Sequence, residues 1–166
     1  IHNPYNKNNI LVTKECITKF LKKGGITLPI KDLNLYQKAF THKSYSIQTN
    51  QEHISKNKHL TMASKPDNCV ELQPFSYERL EFLGDSILGA VVTTYLFKKY
   101  FDQNEGFMTK LKTKLVNTSA LYEFATYLGL SKYMLLSNQI EFKNNGRSSD
   151  HLLEDTFEAL IGAMYL

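Results

Sequence analysis

Cysteine is scarce in this 166-residue chain: Cys16 and Cys69 stand far apart, outside any C-x-x-C spacing. That spacing argues against a disulfide framework and a cysteine-ligated zinc site, and leaves two ordinary reduced thiols. No stretch approaches the roughly 18 consecutive apolar residues of a membrane span, and no basic segment followed by an apolar run opens the chain. There is also no alternating strand pattern, no internal repeat and no low-complexity tract beyond a polar bias in residues 46–75. The expectation is a soluble, intracellular and cytoplasmic protein with no membrane partner.

What is present suits one domain, because 42% hydrophobic residues in a chain of this length suffice for a single core. A net charge of +4 and an isoelectric point near 8.9 lean towards a polyanionic partner, although many unrelated proteins share that balance. Ile1 opens the chain in place of methionine and Leu166 falls inside an apolar periodic run, so the sequence reads as a piece of a longer protein.

Helical periodicity dominates. Leu11, Cys16, Ile17, Phe20 and Leu21 recur at three- to four-residue spacing before Gly24-Gly25, which predicts an amphipathic helix over Ile10–Lys23. A second helix is expected over Leu33–His42. Three longer periodic segments, Tyr77–Tyr100, Thr109–Leu128 and His151–Leu166, are rich in helix formers. Residues 46–75 carry no sustained period and read as an insertion, either an ordered excursion or a loop. The predicted class is all-α.

On a helix with 3.6 residues per turn, Glu78, Glu81 and Asp85 fall within an arc of roughly 60°. Leu80, Leu83, Ile87 and Val91 point the other way, so the reading is a buried apolar stripe with the acids turned to a cleft or to solvent. In the last segment, Asp155 and Glu158 lie one turn apart, with Ala159 and Gly162 on the acidic side. Leu153, Phe157, Leu160, Ile161 and Met164 are expected to form its buried side. Were the two acidic faces to meet, repulsion among the carboxylates would call for a divalent cation, and oxygen-only ligands suit Mg²⁺ or Mn²⁺. Spacing alone equally describes a solvated acidic face. Phe82 sits beside the acids and away from the apolar stripe, which points to a subunit contact or to burial under a neighbouring element. Lys110 and Lys114, one turn apart, are candidate phosphate contacts or plain surface lysines. His42 has no spaced partner for general-base chemistry, and His151 is expected to face solvent.

Four ordered segments carry a resemblance: AFTHKSY at Ala39–Tyr45, ERLEFLGDS at Glu78–Ser86, EGFMTKLKTKLVN at Glu105–Asn117 and LEDTFEALIGA at Leu153–Ala163. The second resembles, without a break, the signature of the ribonuclease III family, and the others are similar to that family's motifs in the same order. The resemblance covers about Leu33–Leu166 apart from the insertion. It implies the family's all-α endonuclease fold, a homodimer, double-stranded RNA as substrate, and products with 5′-phosphate and 3′-hydroxyl ends. Glu81, Asp85, Asp155 and Glu158 fall on the family's metal-binding carboxylates, Glu78 on a further glutamate of the catalytic cleft, and Phe82 on the aromatic inserted into the partner subunit. The resulting expectation is one catalytic domain over residues 1–166, with a helical extension over 1–30, an insertion over 46–75 and no double-stranded-RNA-binding domain. The helices that the family places after Leu166 are absent from the sequence. The competing reading is an inert family relative that binds duplex RNA as a scaffold; the intact acid set distinguishes the two.

Overall fold

Short polar side chains set most of the helix starts. Thr13 caps α1 (Lys14–Lys23), Asp32 caps α2 (Leu33–Ala39) and Ser46 caps α3 (Ile47–Lys56). Asn104, Asn117, Ser137 and Ser149 do the same for α5 (Glu105–Leu115), α6 (Thr118–Leu128), α7 (Asn138–Lys143) and α8 (Asp150–Tyr165). Each side-chain oxygen accepts a bond from a backbone N–H left free in the first turn. The 22-residue α4 (Glu78–Lys99) has no such cap; its first turn carries Glu78 and Glu81, whose charge suits the positive end of the helix. Gly129, at φ 78°, ends α6 in the left-handed region that glycine adopts without strain.

The computed structural model describes residues 1–166, and its only non-helical pairings are three isolated bridges, so the all-α class holds. Three 3₁₀ turns, at Lys43–Tyr45, Leu130–Tyr133 and Gly146–Ser148, complete the regular structure. The central helix is α8, packed most extensively on α4 and then on α6 and α2. One core of 17 buried residues joins Ile17, Phe20 and Leu21 of α1 to Tyr36 and Ala39 of α2, and both to Leu153, Ala159, Leu160 and Ala163 of α8.

Several boundaries depart from the periodicity. The first helix begins at Lys14, and residues 1–13 form an arm whose buried Asn6 and Asn9 donate to the Leu136 carbonyl. The segment expected over Thr109–Leu128 is two helices, because Asn117 caps a new start and the first of them already begins at Glu105. Residues 46–75 contain α3, which polar residues on most of its faces conceal from a periodicity search. The rest of that segment is tied down by bridges from Met62 to His2 and from Gln73 to Ser46.

The larger correction concerns α4. Leu80 is buried and Leu83 and Ile87 are half-buried, but Val91 is 60% exposed. The buried arc is centred on Gly84, turned by roughly 60° from the apolar stripe towards the acids. Glycine makes that possible. A Cβ on Gly84 would lie 1.7 Å from the Glu158 carbonyl oxygen, and one on Gly162 would lie 2.3 Å from that of Leu80. The two backbones therefore touch where the helices cross, and α4 turns its glycine, rather than its larger apolar residues, to the contact. On α8 Ala159 and Gly162 are themselves buried beside the half-buried acids, whereas Phe157, Ile161 and Met164 are half-buried along an apolar groove shared with Phe20, Phe124 and Tyr127. By length and composition α4 could cross a bilayer. The carboxylates of its first two turns and its packing on α8 place it in this fold instead.

Candidate metal centre

The close crossing at Gly84 and Gly162 has a direct chemical consequence. Glu81 lies one turn before Gly84 on α4, and Glu158 lies one turn before Gly162 on α8, so both carboxylates emerge beside the contact. Asp155 follows on the same side of α8. Glu81, Asp155 and Glu158 each offer a carboxylate oxygen within 4.8 Å of the others.

All three side chains are half-buried, and three like charges at that separation resist ionisation. Burial first, then repulsion from Asp85, Glu154, Glu81 and Asp155, pushes the Glu158 carboxyl up to about 8. Glu81 is also raised, by burial and then by Asp155, Glu78, Asp85 and Glu154. Asp155 is raised by burial and by Glu154, while a hydrogen bond from Tyr77 acts the other way. An oxygen-only donor set that repels itself fits a hard divalent cation, which would both ligate these groups and neutralise them.

The other predicted acids stand further out. Asp85 is exposed and not among the three convergent groups, but its charge acts on Glu81 and Glu158. It lies at the edge of a cleft between α4 and α5 that Ser86, Gly89, Thr93 and Lys112 also line. Glu78 is exposed and pairs with Lys43 at 3.3 Å while accepting from Ser76 Oγ. Phe82 is 79% exposed, as the helix wheel implied; Val91, Tyr95 and Phe97 are also exposed further along α4, Val91 on the opposite side of the helix. Lys110 and Lys114 are exposed on α5, whereas Lys112 faces the cleft, with its Nζ 3.8 Å from the Cβ position of Gly89.

Three neighbours escaped the sequence reading. Glu154 acts electrostatically on all three convergent acids and is itself held by Thr118 Oγ1 at 3.1 Å. Its spacing of four from Glu158 was the available signal. Lys112 had none, since the i, i+4 pair of Lys110 and Lys114 drew attention to the opposite side of α5. Tyr77, only 2% exposed, donates its hydroxyl to Asp155 Oδ2 at 3.0 Å, a contact across 78 positions that local spacing does not reveal. Burial and the neighbouring Asp155 charge hold the Tyr77 phenol well above its ordinary range.

The two histidines behave as bystanders to proton transfer. His42 is buried, and burial followed by the Lys43 charge lowers it to about 4. Its Nδ1 accepts from the Ser44 backbone N–H at 3.2 Å, so the ring is neutral. His151 faces solvent and pairs with Glu154 at 3.4 Å.

A family model described as Ribonuclease-III-like matches residues 32–166. Over 164 residues the chain is 37% identical to a probable ribonuclease 3 of Acanthamoeba polyphaga mimivirus, a match covering 98% of this chain and 29% of that protein. Over 142 residues it is 40% identical to the ribonuclease 3 of Listeria monocytogenes serotype 4b, covering 86% of this chain and 53% of the relative. The chain thus spans about half of the bacterial protein and less of the viral one. The fold is similar to the nuclease domain of ribonuclease III from Campylobacter jejuni, with a TM-score of 0.67 and 32% identity over 90% of this chain and 82% of that one. A second structure of that domain, described by structural flexibility in the region involved in dimer formation, gives a TM-score of 0.64 at 32% identity, over 90% of this chain and 84% of that one.

Proposed function

The chain belongs to the ribonuclease III family, and from that premise we propose that it is a magnesium-dependent endoribonuclease that hydrolyses phosphodiester bonds in double-stranded RNA, leaving 5′-phosphate and 3′-hydroxyl ends. The observation that carries the proposal is the convergence of Glu81, Asp155 and Glu158 within 4.8 Å. Mn²⁺ is the natural substitute, since it accepts the same oxygen donors.

In this reading Glu81, Asp155 and Glu158 hold the ion, and Asp85, at the edge of the cleft, completes the ligand set. Bound there, Mg²⁺ supplies Lewis-acid chemistry, making a water acidic enough for in-line attack on phosphorus and offsetting charge on the leaving oxygen. Filling the site would require Glu158, raised to about 8 without the ion, to release its proton to solvent, because only the ionised carboxylate ligates strongly. Glu78, held by Lys43, lines the approach to the acids. Lys112 on the cleft wall, with Lys110 and Lys114 outside it, meets phosphates of an A-form duplex, which proteins read by shape and 2′-hydroxyls. Phe82 anchors a homodimer by entering the partner subunit, which removes a 79% exposed ring from water. The paired centres of the dimer would cut both strands and leave short 3′ overhangs.

The test is cleavage of a labelled RNA duplex beside matched single-stranded RNA and duplex DNA, with Mg²⁺, with chelator, and with E81Q. We expect duplex-selective, metal-dependent cleavage that E81Q abolishes without loss of fold. Near-wild-type cutting by a folded E81Q protein refutes the assignment, and duplex binding without cleavage by the wild type turns it into the inert-scaffold reading.

A further inference from the structure

The THKS segment just before α3 makes no hydrogen bond to the three convergent acids, yet it is built against Tyr77, whose hydroxyl donates to one of them. Tyr77 N donates to the Thr41 carbonyl at 2.8 Å, and the Tyr77 ring lies edge-on to the His42 imidazole, with centroids 5.8 Å apart. His42 is fixed in turn: its backbone N–H donates to the Leu135 carbonyl at 3.1 Å, and its ring Nδ1 accepts from the Ser44 hydroxyl at 2.8 Å. The Ser44 hydroxyl also accepts from Ser137 N at 3.0 Å. Buried side chains so confined have essentially one rotamer open to them. The far end of this chain of contacts is the Tyr77 hydroxyl on Asp155 Oδ2.

We propose that Tyr77 is a positioning residue for the metal centre: its hydroxyl ties up Asp155 Oδ2, so that Asp155 meets the ion through Oδ1 in one fixed orientation, and the THKS segment holds the tyrosine in place. The proposal rests on reading the acid cluster as a metal site. Partners that orient a ligating side chain commonly contribute 10- to 100-fold to metal affinity. Here a single neutral donor acts on one ligand of several, which places the effect at the lower end, about tenfold.

The test compares Y77F with Y45F. Tyr45 is an equally buried phenol whose hydroxyl donates to the Val70 carbonyl at 2.7 Å, so Y45F removes a buried hydroxyl bond that does not reach the acids. Mn²⁺ binding is measured calorimetrically without RNA, beside the metal dependence of duplex cleavage. Expected is an approximately tenfold weaker Mn²⁺ affinity in Y77F, matched by the same shift in the half-saturating metal concentration for cleavage, while Y45F binds as the wild type does. Wild-type affinity in a folded Y77F overturns the proposal, as does an equal loss in both variants. A second measurement does not depend on either variant folding: titrating metal-free wild type with Mg²⁺ should perturb the tyrosine absorption, because the charge on the acceptor of the Tyr77 hydroxyl changes. A silent spectrum during saturable binding overturns the proposal and leaves the metal site standing. Absence of any Mn²⁺ or Mg²⁺ binding by the wild type removes the metal site and the proposal together.

Discussion

Replacing Gly84 with alanine should disable the protein through one methyl group. A Cβ there would stand 1.7 Å from the Glu158 carbonyl oxygen, 2.6 Å from its carbonyl carbon and 2.9 Å from Gly162 N, all of them backbone atoms that no rotamer change can move. Opening the contact even to 3.0 Å, below which real Cβ contacts are essentially never found, requires α4 and α8 to part by about 1.3 Å. Overpacking of this kind costs about 3 kcal/mol or more, because two continuous helices must shift together. At about 3 °C per kcal/mol for a chain of this size, the melting temperature should fall by about 9 °C. Activity should fall further than stability explains. Glu81 and Glu158 flank the crossing, and a displacement of about 1 Å can cost on the order of 100-fold in rate. The internal control is G89A on the same helix, where the only near atom is the Lys112 Nζ at 3.8 Å. That change should raise stability by up to about 1 kcal/mol through helix propensity. Thermal melts and duplex cleavage well below the transition read both effects. A G84A protein with the wild-type melting temperature and rate would refute the argument that backbone contact at this glycine builds the site.

The pH dependence of the metal-free protein should carry the mark of Glu158. Its folded value of about 8 lies above the ordinary 4.5, so between those limits the folded protein binds a proton that the unfolded chain has released, and stability falls as pH rises. Discounted for the solvent that reaches this half-buried carboxyl, the loss is about 1–2 kcal/mol, and Mg²⁺ should restore it most at the alkaline end. Melts in chelator at about pH 5.5 and about pH 8.5 should differ more in the wild type than in E158Q; equal slopes would reject the assignment. In the turn just ahead of α8, Arg147 donates to both Glu141 oxygens and to the carbonyls of Ser131 and Met134. R147M should cost about 2–3 kcal/mol, because the half-buried Glu141 loses its charged partner while keeping the bonds from Asn6 and Asn8, and R147M/E141Q should recover part of that loss. Hydrogen bonding and charge from Arg147 hold Glu141 at about 2, so the pair's contribution is complete above about 4.5 and fades as pH falls towards 2, which acid titration of wild type against E141Q will measure.

Local sequence was sufficient for α1, α2, α4 and α8, because apolar periodicity acts within a few positions, but it missed α3 and α7, whose polar faces carry no period, and the break between α5 and α6. It was also sufficient for the candidates: Glu78, Glu81 and Asp85 share an arc of α4 however the chain folds, and Phe82 lies off the apolar stripe on the same grounds. The motif order identified the family from the same letters. Spacing within one helix fixes only relative azimuth. It leaves open which azimuth faces a neighbour, and the expected Leu80, Leu83, Ile87 and Val91 stripe was displaced for that reason. Tertiary structure made that choice through Gly84 and Gly162, where the absence of Cβ atoms lets two backbones touch. Once the helices cross there, Glu81, Asp155 and Glu158 converge, Asp85 and Glu78 stay at the periphery, and Tyr77 comes within a hydrogen bond of Asp155. Those relations join residues more than 70 positions apart, and they follow from how closely two helices can approach rather than from any pattern along either one.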